Sequence, residues 1–292
     1  MPETGQLFAV TTRSRLKGPW FFPAMVLGTR RIRRQLQSSP DVVRWASVIA
    51  APTEFWTITV WRTRHDMNEF AQSGAHDEIM WRFSKWLESF WLMRWRPGPA
   101  ETGAWDGLSL AQPMPQDMRG TAVGRPELQE ALEYLPQLKA STDATGRATY
   151  EASPAVRKQR AEVAGARAVV VFVHSGGLRR RAGLRALRRL KAGLSSDDEL
   201  LRAAAGFGAS GDGYLLTVWS GAGGASRFLR SPELAKVLAR WPDTSWTNEW
   251  LPENEFGHWD GLRLRRNRGN HGLRVPEAGR VAAELPAQDD SA

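Results

Sequence analysis

The chain has 292 residues, 42% of them hydrophobic and 24% charged, which is enough for two modest domains or one large pseudo-dimer with a real core. It has no cysteine, which excludes disulfides, thiolate nucleophiles, iron–sulfur clusters, cysteine-ligated zinc, and thiolate-ligated or covalently attached haem. The net charge of +9 is carried mainly by arginine clusters at 30–34, 179–189 and 263–268; with no recognition motif beside them, these read as solvated helix faces and a basic tail rather than a nucleic-acid surface.

The N-terminus, MPETGQLFAV, lacks the basic and apolar segments of a secretory signal. Pro52 and Glu54 interrupt the most apolar stretch, so no transmembrane run is expected, and the chain reads as soluble and cytoplasmic. Apolar and β-branched content predicts a strand over Leu7–Thr12, followed by a GPWFFP loop and a helix over Met25–Gln37. Strands are predicted over Val42–Ala50 and Phe55–Trp61, then helical structure over Asp66–Phe90 and a strand over Trp91–Arg96. Residues 111–165 differ in character, with a Pro/Gly loop, one helix over Glu127–Leu138 and a polar stretch. Beyond them the pattern resumes. Strands are expected over Ala168–His174, Leu200–Phe207, Tyr214–Trp219 and Ser245–Leu251, with helices over Leu178–Leu194 and Ala225–Ala239. Residues 267–292 lack apolar periodicity and read as a disordered tail.

The chain repeats itself. TVW (Thr59–Trp61), F-x-x-S (Phe70 to Ser73), Trp-x-Pro (Trp95 to Pro97) and WDGL (Trp105–Leu108) recur as Thr217–Trp219, Phe228 to Ser231, Trp250 to Pro252 and Trp259–Leu262. A long period with two copies indicates a duplicated domain rather than a solenoid. The predicted class is α+β: two ferredoxin-like βαββαβ repeats whose open sheets pair into a pseudo-dimeric α+β barrel. The expected division is repeat one over 1–110, a linker over 111–165, repeat two over 166–266 and a tail over 267–292.

His76 is where the copies part, since repeat two has Leu234 there. Ser73-Gly74 marks a break in the helical stretch, after which Ile79, Met80, Phe83, Trp86, Leu87 and Phe90 form one apolar stripe with His76 near its centre. A histidine on such a face is either a core residue hydrogen-bonded to backbone, or a ligand or base facing an apolar cavity. Among the five histidines no pair has metal-ligand spacing, and no nucleophile elbow, P-loop or dinucleotide fingerprint occurs.

The segment TVW-x(8)-FAQSGAH-x(3)-M (Thr59–Met80), with Trp95-x-Pro97 after it, resembles the dimeric α+β-barrel superfamily, and within it the spheroidene-monooxygenase-like and haem-dependent monooxygenase-type proteins. The resemblance implies a haem b protein with iron as the metal and His76 as axial ligand. It further implies a monooxygenase-type oxidoreductase acting on a small organic substrate, with no particular substrate indicated. On that reading Met80 and Phe83 pack against the cofactor, and Arg62 and Arg64, directly after the TVW strand, are the nearest cations in sequence for its propionates. Trp45 and Trp56 lack a tryptophan in repeat two and are the expected cavity and catalytic residues, whereas Trp61 has Trp219 and reads as scaffold. The implied partners are a small-molecule substrate and an electron donor, with no nucleic acid and no membrane, in a monomeric pseudo-dimer or a homo-oligomer. Two alternatives stay open: a cofactor-free quinol monooxygenase of the antibiotic-biosynthesis type with His76 as base, and a non-catalytic haem or apolar-ligand binder.

Overall fold

The first half of the chain runs as strand β1 (Phe8–Leu16), helix α1 (Phe22–Ser38), strands β2 (Val42–Ala51) and β3 (Glu54–Trp61), helix α2 (Arg64–Ala71) and strand β4 (Leu87–Gly103). The second half runs as β5 (Arg167–His174), α3 (Ala182–Gly193), β6 (Leu200–Phe207), β7 (Asp212–Trp219), α4 (Ala222–Leu229), α5 (Pro232–Arg240) and β8 (Ser245–Gly257). This is a computed structural model, and it describes residues 7–74, 76, 85–110, 163, 165–176, 181–208, 212–262 and 264. The expected linker helix over Glu127–Leu138 and the tail over 267–292 lie outside those residues.

The eight strands form a closed antiparallel barrel in the order β1-β3-β2-β6-β7-β5-β8-β4. The two halves are joined along β4–β8, from Trp91↔Gly257 to Gly103↔Trp246, and at Ile49↔Phe207 between β2 and β6. The β2–β6 seam is pinned at that one pair, while six to ten pairs bind each of the other seams. Alternation sorts each strand's side chains to two sides. One core draws on all eight strands and fills the barrel, with Trp56, Trp91, Trp95, Trp246 and Trp250 among its members. Two further cores lie outside it: one packs α1 and α2 on β1–β4, the other packs the second-half helices on β5–β7.

Both WDGL segments are tight turns. Trp105 and Leu108 exchange backbone hydrogen bonds of 2.8 and 3.0 Å, as do Trp259 and Leu262 at 3.1 and 2.9 Å. The central residues all have positive φ: Asp106 49°, Gly107 82°, Asp260 47° and Gly261 85°. That is the type I′ geometry for which Asp-Gly is a preferred pair. Each turn is tied to the barrel by an arginine. Arg44 donates to the Trp105 and Asp106 carbonyls at 3.2 and 2.9 Å, and Arg202 donates to those of Trp259 and Asp260 at 3.3 and 2.8 Å. Just before the turns, Glu101 accepts from Leu110 N–H and Trp246 Nε1, and Glu255 accepts from Leu264 N–H and Trp91 Nε1. Half of the 14 tryptophans thus lie in the barrel core, and each half of the chain provides the same fittings.

The structure departs from expectation after α2. Lys85 and Trp86 lie in a turn, and Leu87 and Phe90 belong to β4 rather than to a helix. Pairing decides this: Leu87 sits opposite Leu16, Phe90 opposite Ser14, and the ladder continues to Ala9↔Trp95. The 87-to-90 spacing fits a helical stripe, but as a strand these residues pair with β1 and lead into the β8 ladder that begins at Trp91. The second helical stretch, expected as one piece over 225–239, is two helices. Ser231 caps the second of them, accepting from Leu234 N–H at 3.3 Å, with Pro232 at its first position.

Candidate functional site

Two of the expected site residues share one layer. His76 and Trp45 lie between the first-half helices and the outer face of the sheet, where Phe8, Val10, Met25, Ile32, Phe70 and Leu92 supply apolar walls. Trp45 reaches that side through a β-bulge in β2. Val42 pairs with Trp61 and Trp45 with Thr59, with the shift between Val42 and Arg44, so two residues three apart face the same way. Trp45 Nε1 is buried without a hydrogen-bond partner. Trp61 also faces this layer, with its Nε1 donating to Thr59 Oγ1 at 2.9 Å.

His76 is 1% exposed. α2 ends at Ala71, and Gly74, with φ 58°, turns the chain back. Gln35 of α1 clamps the turn. Its Oε1 accepts His76 N–H at 2.8 Å, and its Nε2 donates to the Ser73 and Phe70 carbonyls at 3.0 and 3.4 Å. The ring of His76 packs on Phe70 at 5.1 Å, and Phe70 packs on Trp61 at 5.0 Å. Nδ1 lies 2.9 Å from the Ala71 carbonyl. A carbonyl only accepts, so Nδ1 carries a proton, and in the neutral ring the lone pair is at Nε2. This is the geometry of a core histidine hydrogen-bonded to backbone, and also that of an Nε2 ligand oriented by a carbonyl.

The other expected residues are placed elsewhere. Trp56 is inside the barrel, not with His76: its indole donates to Glu54 Oε1 at 3.2 Å and meets the Trp259 ring edge-on at 4.4 Å. Strand alternation sends Phe55 and Trp61 outward and Trp56 inward. Arg64 begins α2 and His76 follows its far end, about 12 Å of helix away. Arg64 is exposed, paired with Glu253 at 2.6 Å and placed over the Phe8 ring at 5.4 Å. Arg62 is half-buried and reaches the Pro40 carbonyl at 3.5 Å. Met80 and Phe83 lie outside the described residues. Of the remaining histidines, His65 is exposed, His174 Nδ1 is 2.7 Å from Asp212 Oδ1, and His258 Nδ1 accepts from Gly261 N–H at 3.0 Å.

Sequence reasoning missed Arg94. Opposite Val10 on β4, it is 6% exposed, faces α2 and donates to Asn68 Oδ1 at 3.3 Å. Burial first, then the nearby Arg64, pushes its pKa down to about 10 against the pull of Glu253. Nothing in WLMRWRP tells a buried arginine from an exposed one until the strand's register is known. Among the described residues no group of three or more His, Cys, Asp or Glu side chains gathers to hold a metal, and no helix is long and apolar enough to cross a membrane.

No family model and no curated protein matches the chain. Among solved structures, an aldoxime dehydratase is similar at TM-score 0.48 and 9% identity, over 87% of this chain and 83% of that one. An aldoxime dehydratase in complex with butyraldoxime is similar at TM-score 0.47 and 11% identity, over 86% and 81%. An anthrone oxidase-like protein is similar at TM-score 0.29 and 10% identity, over 89% and 97%. None of these activities transfers at that distance.

Proposed function

We propose that this protein is a haem-b-dependent oxidoreductase of the monooxygenase type, in which His76 Nε2 would hold the haem iron and a small organic substrate would sit in the layer between the first-half helices and the sheet. The observation that carries this reading is two buried polar side chains in that layer. A fully buried imidazole has its lone pair set at Nε2 by the Ala71 carbonyl, and a buried Trp45 N–H has no partner. At the matching positions the second half has Leu234 and Ala203, which need no ligand. The donor set fits haem: one neutral nitrogen ligand, an oriented tautomer and apolar walls. When bound, haem iron would supply the oxygen activation that no side chain of this cysteine-free protein provides.

The chain's own residues have separate tasks. Gln35 and the Ala71 carbonyl hold the imidazole in one orientation. Trp45 donates a hydrogen bond into the layer and orients a substrate oxygen or nitrogen. Phe70 and Trp61 exclude water from the ligand side. Cations for carboxylate groups come from Arg94 beneath α2 rather than from Arg62 or Arg64. The division into a site-bearing ferredoxin-like repeat over 1–110 and a scaffold repeat over 166–266 belongs to the same proposal. It is supported by matched registers: Val42↔Trp61 and Trp45↔Thr59 against Leu200↔Trp219 and Ala203↔Thr217.

The test is a hemin titration of the purified protein beside His76→Ala. A stoichiometric Soret band in the parent that is shifted or lost in the variant is the expected result. No saturable band in either protein overturns haem binding and moves the search to cofactor-free oxygenation with His76 as base.

A further inference from the structure

Only three large hydrophobic side chains are strongly exposed among the described residues: Trp20 at 71%, Leu27 at 61% and Phe207 at 36%. The first two belong to one segment, the 3-10 turn Pro19–Phe21 and the start of α1. Trp20 is held in place. Its indole lies over Gly18, where a Cβ would come within 2.2 Å of the ring, so only glycine lets the ring lie there. α1 has two faces. Met25, Ile32 and Leu36 are buried against the sheet, while Ala24, Leu27, Arg31 and Arg34 are exposed on the opposite stripe at helical spacing. That stripe is apolar at its N-terminal end and cationic one and two turns on. Lys17, just before the turn, is exposed as well. No Asp or Glu occurs between Glu3 and Asp41, an interval holding Arg13, Arg15, Lys17, Arg30, Arg31, Arg33 and Arg34.

We propose that Trp20 and Leu27, with Lys17, Arg31 and Arg34, form a docking surface for an anionic phospholipid bilayer, on which the protein sits as a peripheral protein. The sequence alone points to no membrane partner, because no span is long enough; an interfacial contact needs none. Tryptophan at the headgroup level, a shallow apolar insertion and cations facing lipid phosphates together characterise such a contact. Two apolar side chains fall well short of the roughly 800 Å² per partner of a stable protein interface, which disfavours a second copy. A nucleic-acid surface would have no use for an exposed leucine beside its arginines. The surface lies on the outer side of α1, whose inner side covers the Trp45 layer, but the proposal stands whether or not that layer holds haem.

The experiment is flotation of the full chain with phosphatidylcholine vesicles, with and without phosphatidylglycerol, at low and high salt. The expected result is co-flotation with the anionic vesicles, weakened by salt. Trp20→Ser/Leu27→Ser should weaken partitioning about tenfold or more. Arg31→Gln/Arg34→Gln should weaken it by roughly fivefold per arginine and remove the preference for phosphatidylglycerol. Unchanged thermal melts would show that both double variants still fold. Failure of the parent to float with anionic vesicles overturns the proposal, and so does equal flotation of parent and both variants. A parent that sediments as a dimer, split by Trp20→Ser/Leu27→Ser, overturns it in favour of self-association.

Discussion

Replacing His76 by leucine separates a structural role from a ligand role, because the second half already shows what leucine does there. Leu234 is 0% exposed and packs in the outer core of that half. His76→Leu removes the hydrogen bond to the Ala71 carbonyl and the ring contact with Phe70. A buried carbonyl left without its partner costs about 1–3 kcal/mol. Burying a leucine side chain returns roughly 1.5–3 kcal/mol of transfer free energy. The two nearly cancel, so the net change is expected within about 1 kcal/mol, a shift in Tm of no more than roughly 4 °C for a protein of this size. A ligand role predicts a different outcome in the second assay, since leucine offers iron nothing. Thermal unfolding followed by far-UV circular dichroism should therefore barely move, while the hemin titration loses its stoichiometric Soret band. A fall in Tm of more than about 10 °C with an unaltered titration would refute the reasoning and make His76 a packing residue.

Two further predictions concern the scaffold. Arg13 is 1% exposed and bridges Glu54, at 3.0 Å to each carboxylate oxygen, to Asp260 at 3.1 Å. Arg13→Met removes the cation hydrogen-bonded to both Glu54 oxygens and should cost about 2–4 kcal/mol in denaturant unfolding, less than a fully buried pair because Glu54 is partly exposed and keeps Trp56 and Arg15 nearby. Burial pushes the Glu54 carboxyl up, but the hydrogen bond and charge of Arg13, with the Trp56 hydrogen bond and the Arg15 charge, together outweigh it and hold the carboxyl below its ordinary 4.5. A depressed carboxyl contributes stability that is fully present above its unfolded value and is lost as pH falls through its folded value. The parent should therefore lose stability as pH drops below 4.5, and the variant should show a weaker dependence in the same acid window. The glycine pair Gly107 and Gly103 offers a second contrast, read by thermal melts. Both have positive φ, but a Cβ on Gly107 meets nothing within 4 Å whereas one on Gly103 would lie 2.2 Å from the Ser245 carbonyl oxygen. Gly107→Ala should cost only the left-handed backbone term, about 1–2 kcal/mol, and Gly103→Ala distinctly more.

The strands bordering the TVW motifs were legible because β-branched and apolar residues alternate there, and β6 was placed over its full length at Leu200–Phe207. What the one-dimensional pattern lacked was pairing information. The bulge after Val42 flips the parity of β2, so no count along the sequence assigns a face to Trp45. β4 begins at Leu87 because β1 lies beside it, a long-range contact that a helical stripe mimics locally. Arg94 was invisible for the same reason. The WDGL turns, by contrast, held their own signal, since Asp-Gly between a flanking tryptophan and leucine is a type I′ signature without any tertiary context. His76 was found by comparing the repeats rather than by chemistry.

The duplication also acts as an internal control on what the layer around His76 is for. Both halves share the Thr-to-Trp side-chain bond, 2.9 Å at Thr59–Trp61 and 2.9 Å at Thr217–Trp219. Both tie a WDGL turn with an arginine, and both seat a glutamate under a tryptophan N–H. These fittings suffice to pack helices on a sheet, and the second half manages with Ala203 and Leu234. In the first half the same positions hold Trp45, whose buried N–H lacks an acceptor, and His76, whose orientation takes a clamp from Gln35. An unmet indole N–H costs about 1–3 kcal/mol. At this position the fold does not require that cost, because the matching Ala203 avoids it. A ligand that accepts from Trp45 and is bound by His76 would offset it, which is why the two residues are read together as one site.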